Sequence, residues 1–508
     1  MVAATVAASA GHSQSWIMFT PTDLLRQYVK EAFARENIAA SDERISTWDD
    51  FRRDMARHRF GILRSGAGGG IFVMKDDVLA LSETTLALQR EWYADFDRWQ
   101  SEYFWNDLRT NAQALSGHKD SGIARLGAQL LETLPATLSG TSAAAFPALA
   151  AMAGEVQALM ARLGTSTDAT IRTAIGQELK KDKAFLDSLA EFVATLADTD
   201  EGEDEDGEGE EDRRPIRVGK DAAVDALMRA IRGKARAKAM GRALNRETRN
   251  GRIIEWVGNR IIPDGDLIPI GESIQVVSAA RRFISPLQRY YSGLPGRYRR
   301  YRRARQTEGR WYSSGTFPAS DVHPLEVDLM LLALLKAGRS MLEERRIARA
   351  FTQGDYRPLV PIRELYRTQV VVDEATDFSP VQLACMAQIS DPAANAFVAC
   401  GDFNQRITSW GSRSDADLKW VHPDINIRAI TITYRHSRQL NELARAIARL
   451  SAPDTPEAQL PPRTDNDGFK PVLVTGTRDH LAIGAWLSAR IDEIERLSQE
   501  LPPIAVLV

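Results

Sequence analysis

The sequence has few cysteines and no long apolar run, and each shortage excludes a class of protein. Two cysteines, Cys385 and Cys400, among 508 residues cannot form a disulfide framework, which fits a reducing cytoplasm. No apolar run approaches the roughly 20 residues that span a bilayer. The N-terminal MVAATVAASAG lacks the basic and strongly apolar regions of a signal peptide. We therefore expect a cytoplasmic protein of two or three domains with no membrane partner.

The formal net charge of -3 conceals a strong segregation of charge along the chain. Residues 198–212, DTDEGEDEDGEGEED, form an acidic low-complexity run that predicts a disordered loop. Basic stretches follow at 229–252 and 289–312. The second interleaves arginines with aromatic residues, a pattern that suits a phosphate backbone with bases stacking nearby. The candidate DNA-binding residues of this stretch are Arg297, Arg299 and Arg300.

The basic stretch has an alternative interpretation, in which it is a solvated helix face whose aromatic residues turn to the core. The excess of arginines over nearby acidic residues favours the nucleic acid. The acidic run before it would then be placed to shield that surface when no nucleic acid is bound.

Apolar patterning predicts an α/β protein with a large helical insertion. WIMFT (16–20) predicts a short strand, residues 83–197 look almost wholly helical, and residues 323–342 predict a buried helix. From residue 370 onward strands and helices alternate, which is typical of a parallel sheet. One helix face carries an aromatic stripe that predicts core packing: Trp92, Phe96, Trp99 and Tyr103.

Polar side chains follow three of the predicted strands, at the point where each strand ends. Asp373 and Glu374 end the first in VVVDEATDFSPVQL, Gln405 follows the second, and Tyr434 and Arg435 end the third. The carboxyl ends of parallel strands gather ligands at one edge of the sheet. One carboxylate there can hold Mg²⁺ on nucleotide phosphates while its neighbour orients an attacking water. The pattern therefore predicts a nucleotide site.

These stretches resemble motifs of the superfamily 1 DNA helicases of the UvrD/Rep type. VVVDEATDFSPVQL resembles motif II, GDFNQRITSWG resembles motif III and ITYRHSRQLNELA resembles motif IV. The resemblance implies a RecA-like parallel-sheet core of the P-loop NTPase type. It also implies ATP and Mg²⁺ as cofactors and single-stranded or partly duplex DNA as the partner.

By the same resemblance, Asp373 would bind Mg²⁺ and Glu374 would activate water. Gln405 would link the γ-phosphate to DNA, and Arg435 would contact the γ-phosphate. Two aromatic residues would stack on bases: Tyr434 near the adenine, and Trp410 on a base of single-stranded DNA.

Two shorter stretches resemble N-terminal helicase motifs. WIMFTPTDLLRQYV is similar to motif Ia and ISTWDDF to motif Ib, so Thr20 and Thr47 would touch the DNA backbone. The resemblance then implies four segments: the first part of domain 1A at 1–60, a mainly helical insertion like subdomain 1B at 61–345, the remainder of domain 1A at 346–425, and the start of a second RecA-like domain, 2A, at 426–508.

The sequence also departs from the family pattern. Thr376 stands where the family usually has Gln, and no stretch reads G-x-x-x-x-G-K-[ST], the loop that cradles phosphates. That loop would precede the motif Ia strand by roughly 25 residues or more. Only fifteen residues precede Trp16, and motifs V and VI would lie beyond Val508. We therefore expect ATP and Mg²⁺ to bind only if a phosphate-binding loop comes from elsewhere, such as a second protein chain.

Three functions remain open at this point. The chain is a subunit or fragment of a helicase-type ATPase, a catalytically silent DNA-binding module with a helicase shape, or a protein-interaction module. Arginine-mediated DNA binding weakens steeply with ionic strength, so the salt dependence of binding separates the third function from the first two.

Overall fold

The computed structural model describes residues 15–38, 41–66, 69–136, 143–196, 219–258, 260–352, 354–403, 405–406, 408–430, 437–451, 467–468, 470–475, 479–498 and 504. The chain divides into two compact units, Met1–Asp424 and Ile425–Val508. None of the helices in these ranges has the length and apolar character needed to cross a membrane. The acidic run 198–212 and the predicted site residues Tyr434 and Arg435 lie outside the described residues.

The first unit is a mixed α/β structure, as the alternating pattern predicted. Its strands are β1 (Trp16–Thr20), β2 (Ile45–Thr47), β3 (Val73–Met74), β4 (Asp321–Val322), β5 (Gln369–Val372) and β6 (Ala396–Ala399). Four of them form a parallel sheet in the order β2-β1-β5-β6, and β3 pairs with β4 in a separate parallel ladder. Alternate residues of β1 and β5 are buried, because one side chain in two points to each face of a strand.

The helices of the first unit build most of the chain. They are α1 (Asp23–Arg35), α2 (Trp48–Asp54), α3 (Glu83–Ala87), α4 (Gln89–Ser116), α5 (Ser121–Thr133), α6 (Ala145–Lys181), α7 (Phe185–Thr195), α8 (Lys220–Ala239), α9 (Arg249–Val257), α10 (Asp264–Arg281), α11 (Pro286–Ser292), α12 (Leu294–Thr307), α13 (Pro324–Glu343), α14 (Arg345–Ala350), α15 (Val360–Leu365), α16 (Pro380–Gln388) and α17 (Asp415–Val421). The predicted helical region and the predicted buried helix, which is α13, are therefore confirmed.

Local capping signals fix where the helices at the sheet begin. Thr22 caps α1, and Thr47 caps α2 by accepting a hydrogen bond from the Asp50 amide. Ser379 and Gln382 form a reciprocal capping box at the start of α16. Such caps satisfy backbone amides that have no partner within the helix.

The helical body has two hydrophobic cores. The larger is continuous with the sheet and contains buried aromatic rings: Trp92, Phe96, Trp105, Tyr290 and Tyr298. The smaller joins α6 to α10 and contains aliphatic residues and one phenylalanine: Ile171, Phe185, Leu189, Leu227, Ile231, Ile253 and Leu267. The predicted aromatic stripe on α4 follows the larger core only in part. Trp92 and Phe96 are fully buried, but Tyr103 is 36% exposed, so core packing was the wrong prediction for Tyr103.

A buried ion pair ties α2 to α13 beneath the sheet. Arg52 donates to Asp328 at 3.0 Å, and both side chains are almost fully buried. Asp328 also accepts from the Trp48 indole at 2.8 Å and from the Gln382 amide at 3.1 Å. These donors keep the carboxylate paired, since an unpaired buried charge would cost several kcal/mol.

In the second unit the described helices are α18 (Arg438–Ser451) and α19 (His480–Ser498), and both lie in stretches to which the alternation predicted from residue 370 onward assigns helices. Within the same alternation, IRAITITYR (427–435) predicts a strand, but residues 427–430 have no regular structure and the rest lies outside the described residues. KPVLVTGT (470–477) predicts a further strand, and its described part, residues 470–475, also has no regular structure.

The crossing of α8 and α10 generates a first prediction. A Cβ atom on Gly271 would clash with the carbonyl oxygen of Ala235 and lie 2.6 Å from the Cβ of Ala239. We expect Gly271→Ala to lower the free energy of unfolding by about 1–3 kcal/mol, because the helices must separate. Urea denaturation measures this. Gly233→Ala is the matched control, since its Cβ meets only Leu244 at 3.8 Å, and it should be neutral or stabilising. Equal losses in the two variants would contradict this account.

His323 generates a prediction on pH. Its Nδ1 accepts from the Leu325 amide and caps α13, while burial and the nearby Arg52 lower its pKa to about 4. In the unfolded chain the pKa is near 6.5, so unfolding takes up a proton between these values. Stability from this group is therefore complete above about pH 6.5 and is lost as the pH falls toward 4.

Denaturation midpoints at pH 7 and pH 5 test this, with His323→Asn as the comparison because Asn also caps helices. The variant should lose less stability than the wild type over this range. An identical pH dependence in both proteins would show that His323 does not titrate in this way.

Candidate functional site

Strand register brings the predicted polar residues to one edge of the sheet. Thr20 on β1 pairs with Thr47 on β2, and Phe19 pairs with Val372 on β5. Val372 in turn pairs with Ala399 on β6. Because all four strands are parallel, the residues that follow these pairs stand side by side at the carboxyl edge, where ligands of open α/β sheets bind.

Asp373 is the first residue after β5, and its position is fixed by both neighbouring strands. Its amide donates to the Phe19 carbonyl at 3.0 Å. Its Oδ1 accepts from the Glu374 amide at 3.1 Å and from the Cys400 thiol at 3.3 Å. Among the described residues Oδ2 has no hydrogen-bond partner, so one oxygen of the carboxylate is held and the other is available to a ligand.

Cys400 is a site residue that sequence reasoning missed. Burial and the hydrogen bond to Asp373 raise the pKa of its thiol to about 11, so the sulfur stays protonated and donates to Oδ1. Its amide also donates to the Val372 carbonyl at 3.0 Å, which continues the ladder beyond the strand. Its place at the end of a predicted strand was the available signal, but the contact depends on register.

Glu374 adopts a left-handed backbone conformation, with φ of 47°. Residues with a side chain rarely take this conformation, and such strain concentrates at functional sites. The strained residue separates β5 from a 3₁₀ turn at Ala375–Asp377, so the chain turns sharply directly after Asp373.

The segment after β5 is bonded to the segment after β6. The Ala375 amide donates to the Cys400 carbonyl at 2.7 Å, and the Thr376 hydroxyl donates to the Asp402 carbonyl at 3.0 Å. Thr376, which replaces the usual Gln of the resembled motif, is buried and makes a structural contact between the two segments.

Further along, the same two segments meet again. The Thr408 hydroxyl donates to the Asp377 carbonyl at 2.9 Å, and the Ser412 amide donates to the Phe378 carbonyl at 2.8 Å. A Cβ atom on Gly411 would clash with the Thr376 carbonyl, so the two backbones approach as closely as glycine allows. The two segments are therefore packed and hydrogen-bonded to each other over several residues.

Gln405 and Trp410 lie on the segment after β6. Gln405 is exposed, and its amide donates to Asp402 Oδ2 at 2.9 Å. Trp410 is half-buried, and its carbonyl accepts from the Gln89 side chain at 2.8 Å, which ties the segment to α4. Hydrogen bonds from both backbone and side-chain groups therefore join the segment that follows Asp373 and Glu374 to the segment that carries Gln405 and Trp410.

Asp373 offers this edge a carboxylate oxygen of the kind that Mg²⁺ takes as a ligand. Among the described residues no group of three or more His, Cys, Asp or Glu side chains is arranged to hold a metal. Magnesium is usually bound by one or two carboxylates, with water and substrate phosphates completing its shell. The accessible oxygen of Asp373 matches that requirement.

Thr20 and Thr47 are buried at the same edge, and their hydroxyls serve the chain itself. Thr20 donates to the Thr22 carbonyl at 3.2 Å, and Thr47 donates to Asp50 at 2.7 Å. The structure thus gives both residues a local role in ending strands and starting helices. Their contacts with a DNA backbone stay predictions.

The predicted DNA contact of Arg297 is wrong. Arg297 is only 5% exposed, and its guanidinium donates to the Gln100 side chain at 3.2 Å and to the Tyr290 carbonyl at 2.6 Å. Burial lowers its pKa to about 10. Arg297 is therefore a core residue that a nucleic acid cannot reach in this arrangement, and the alternative prediction, aromatic residues turned to the core, is right for Tyr298 and Tyr301. DNA contacts of Arg299 and Arg300 stay predictions.

No protein-family model matches the chain, and no curated protein matches it. Tyr434 and Arg435, which the resemblance places near a nucleotide, lie outside the described residues. They are therefore not included in the site described above.

The contact between Thr376 and Asp402 generates a prediction. We expect Thr376→Val to speed amide hydrogen exchange in the segment 400–412, because the buried donor is removed, at a stability cost of about 0.5–1.5 kcal/mol. Thr376→Ser keeps the hydroxyl and is the control. Hydrogen exchange followed by mass spectrometry measures both variants. Equal exchange of this peptide in Thr376→Val and Thr376→Ser would show that the hydroxyl does not join the segments.

Proposed function

We propose that the chain carries the metal-binding and water-activating part of a helicase-type ATPase of the UvrD/Rep kind, which acts on single-stranded DNA in the cytoplasm. One observation carries this proposal. Parallel strands bring Asp373 and Glu374 to the same sheet edge as the segment with Gln405 and Trp410, and the two segments are hydrogen-bonded to each other.

Each side chain has a chemical role in this proposal. Asp373 holds the metal through its accessible oxygen, and bound Mg²⁺ would neutralise charge on the phosphate oxygens. Glu374 accepts a proton from, or orients, the attacking water. Gln405 contacts the γ-phosphate, and Trp410 stacks on a DNA base. The bonded segments couple the two events, because a shift at Glu374 is passed to the backbone of Trp410.

Phosphate contacts must come from another element. No stretch of the sequence has the Walker A pattern, and a site without its phosphate cradle loses much of its transition-state stabilisation. Among the described residues β6 is an edge strand of the sheet, and its Val398 is 47% exposed. An edge strand of this kind is open to pairing with a further strand, on this chain or on a second protein chain.

Equilibrium binding of a fluorescent ATP analogue tests the proposal without requiring turnover. Because the phosphate cradle must come from another element, we expect the chain alone to bind only weakly. That weak binding should depend on Mg²⁺, and Asp373→Asn should weaken it at least about tenfold, equivalent to roughly 1.4 kcal/mol. Glu374→Gln is the matched control at the neighbouring position. It should leave binding intact and abolish whatever hydrolysis the wild type shows with single-stranded DNA.

Two results would overturn the proposal. One is binding that is unchanged when Mg²⁺ is removed, and the other is equal affinity of Asp373→Asn and the wild type. Absence of any nucleotide binding at millimolar concentration, with DNA binding retained, would favour the second candidate function.

That second candidate is a catalytically silent module that keeps the helicase shape and binds DNA or another protein. The lack of a Walker A sequence favours it. In such a module Asp373 and Glu374 would serve only the turn after β5, and Asp373→Asn would change neither nucleotide nor DNA binding.

A further inference from the structure

Helix α12 sorts its six arginines into two sets. Three point into the protein: Arg297, Arg302 and Arg305. The other three stand on the outer side of the helix: Arg299, Arg300 and Arg303. The sorting matters because the inner and outer sets have different partners.

The inner arginines all bind other groups of the protein. Arg302 donates to the Asp321 carbonyl at 2.6 Å and pairs with buried Glu326 at 3.3 Å. Arg305 pairs with Asp95 at 2.7 Å. With Arg297 already bonded in the core, the guanidinium groups of all three arginines are held by protein partners.

The outer arginines are different. Arg299 and Arg303 are exposed, and among the described residues neither has an ion-pair partner. They are four positions apart on one helix, so their side chains are neighbours on its surface. Two adjacent cations without acidic partners form a site for two anionic groups, such as successive phosphates.

Two aromatic rings of α4 lie beside Arg300, the third outer arginine. Tyr103 is 36% exposed and stacks on half-buried Trp99, with ring centres 5.1 Å apart and planes inclined by 20°. The Arg300 guanidinium lies 5.5 Å from the centre of the Tyr103 ring. An exposed ring supported from behind by a second ring, with a guanidinium group beside it, is an arrangement on which nucleobases stack.

We propose that Trp99, Tyr103, Arg299, Arg300 and Arg303 form a platform that binds single-stranded nucleic acid. A base stacks on Tyr103, and phosphates lie against Arg299 and Arg303. Arg300, which contacts the Tyr103 ring, has a flexible side chain. It can therefore leave that ring and contact the bound base or a phosphate instead. The inference rests on the proposed binding of DNA, but it does not depend on the nucleotide site.

The platform contacts backbone and ring faces only, so it reads no sequence. Stacking tolerates any base, and arginine–phosphate pairs carry no base information. Unpaired bases are required, since a duplex hides ring faces. We therefore expect a preference for single strands over duplex.

Binding of a labelled oligothymidylate of about 16 nucleotides to the full chain, measured by fluorescence anisotropy without ATP, tests the platform. Tyr103→Ala should weaken binding about tenfold, because the base has no ring to stack on, and leave the salt dependence unchanged. Tyr103→Phe keeps the ring and should bind like the wild type. Arg299→Ala with Arg303→Ala should flatten the plot of log affinity against log salt by about 1.4, or roughly 0.7 for each phosphate that is no longer neutralised.

The matched control removes two exposed arginines from other helices, Arg125→Ala with Arg172→Ala, and should keep the wild-type salt slope. Thermal unfolding checks that each variant is folded. Wild-type affinity in Tyr103→Ala, or an equal change of slope in the two double variants, would overturn the platform. So would a wild type that binds no oligothymidylate at low salt.

Magnesium-dependent nucleotide binding measured on the same variants keeps the two proposals apart. Tyr103→Ala should bind the ATP analogue like the wild type, because the platform lies on α4 and α12 and not at the sheet edge. Loss of nucleotide binding in Asp373→Asn with normal binding of oligothymidylate supports both proposals. Failure of nucleotide binding in the wild type, with platform variants behaving as expected, counts against the proposed ATPase alone.

Discussion

The parallel pairing of β1 with β5 is the constraint on which the rest of the structure depends. It joins Trp16–Thr20 to Gln369–Val372, two segments separated by nearly the whole helical body. Closing so long a loop costs entropy, which burial of Phe19, Val370 and Val372 on one face of the paired strands offsets. Because the register is fixed, Asp373 follows β5 at the level of Thr20, and the helices between them become an insertion into one sheet.

This pairing, together with that of β6, determines the geometry of the candidate site. Once β6 joins β5, Cys400 lies beside Asp373 and donates to it. The segments after the two strands then leave the sheet at the same place and bond to each other through Thr376 and Thr408. The strained conformation of Glu374 is the local consequence of turning the chain at this point.

Features with local signals could be predicted from the sequence. β1 and β5 are short apolar runs, and α1 and α16 begin at Thr22 and Ser379, which are good capping residues. The buried α13 is apolar on nearly every side. For these elements the residues nearby decide the structure, so periodicity and capping were enough.

Features that depend on tertiary partners could not be predicted. Arg297 looks like its neighbours on α12, and only the presence of Gln100 on α4 makes a buried guanidinium acceptable. Tyr103 continues the spacing of a stripe that begins in the core, yet it is exposed while the adjacent Phe104 and Trp105 are buried, so the buried face of α4 has shifted around the helix at this point. In both cases one helix had to be placed against another before burial could be assigned.

The central claim is that Asp373 holds a divalent metal at the carboxyl edge of the sheet, and metal-directed cleavage tests it most directly. Fe²⁺ with ascorbate replaces Mg²⁺, produces hydroxyl radicals where it binds, and cuts the nearby backbone, which mass spectrometry locates. We predict cuts near residues 373–374 and 400–402, in the presence of ATP, that excess Mg²⁺ suppresses and Asp373→Asn removes. Cuts elsewhere, or an unchanged pattern in Asp373→Asn, would contradict the claim.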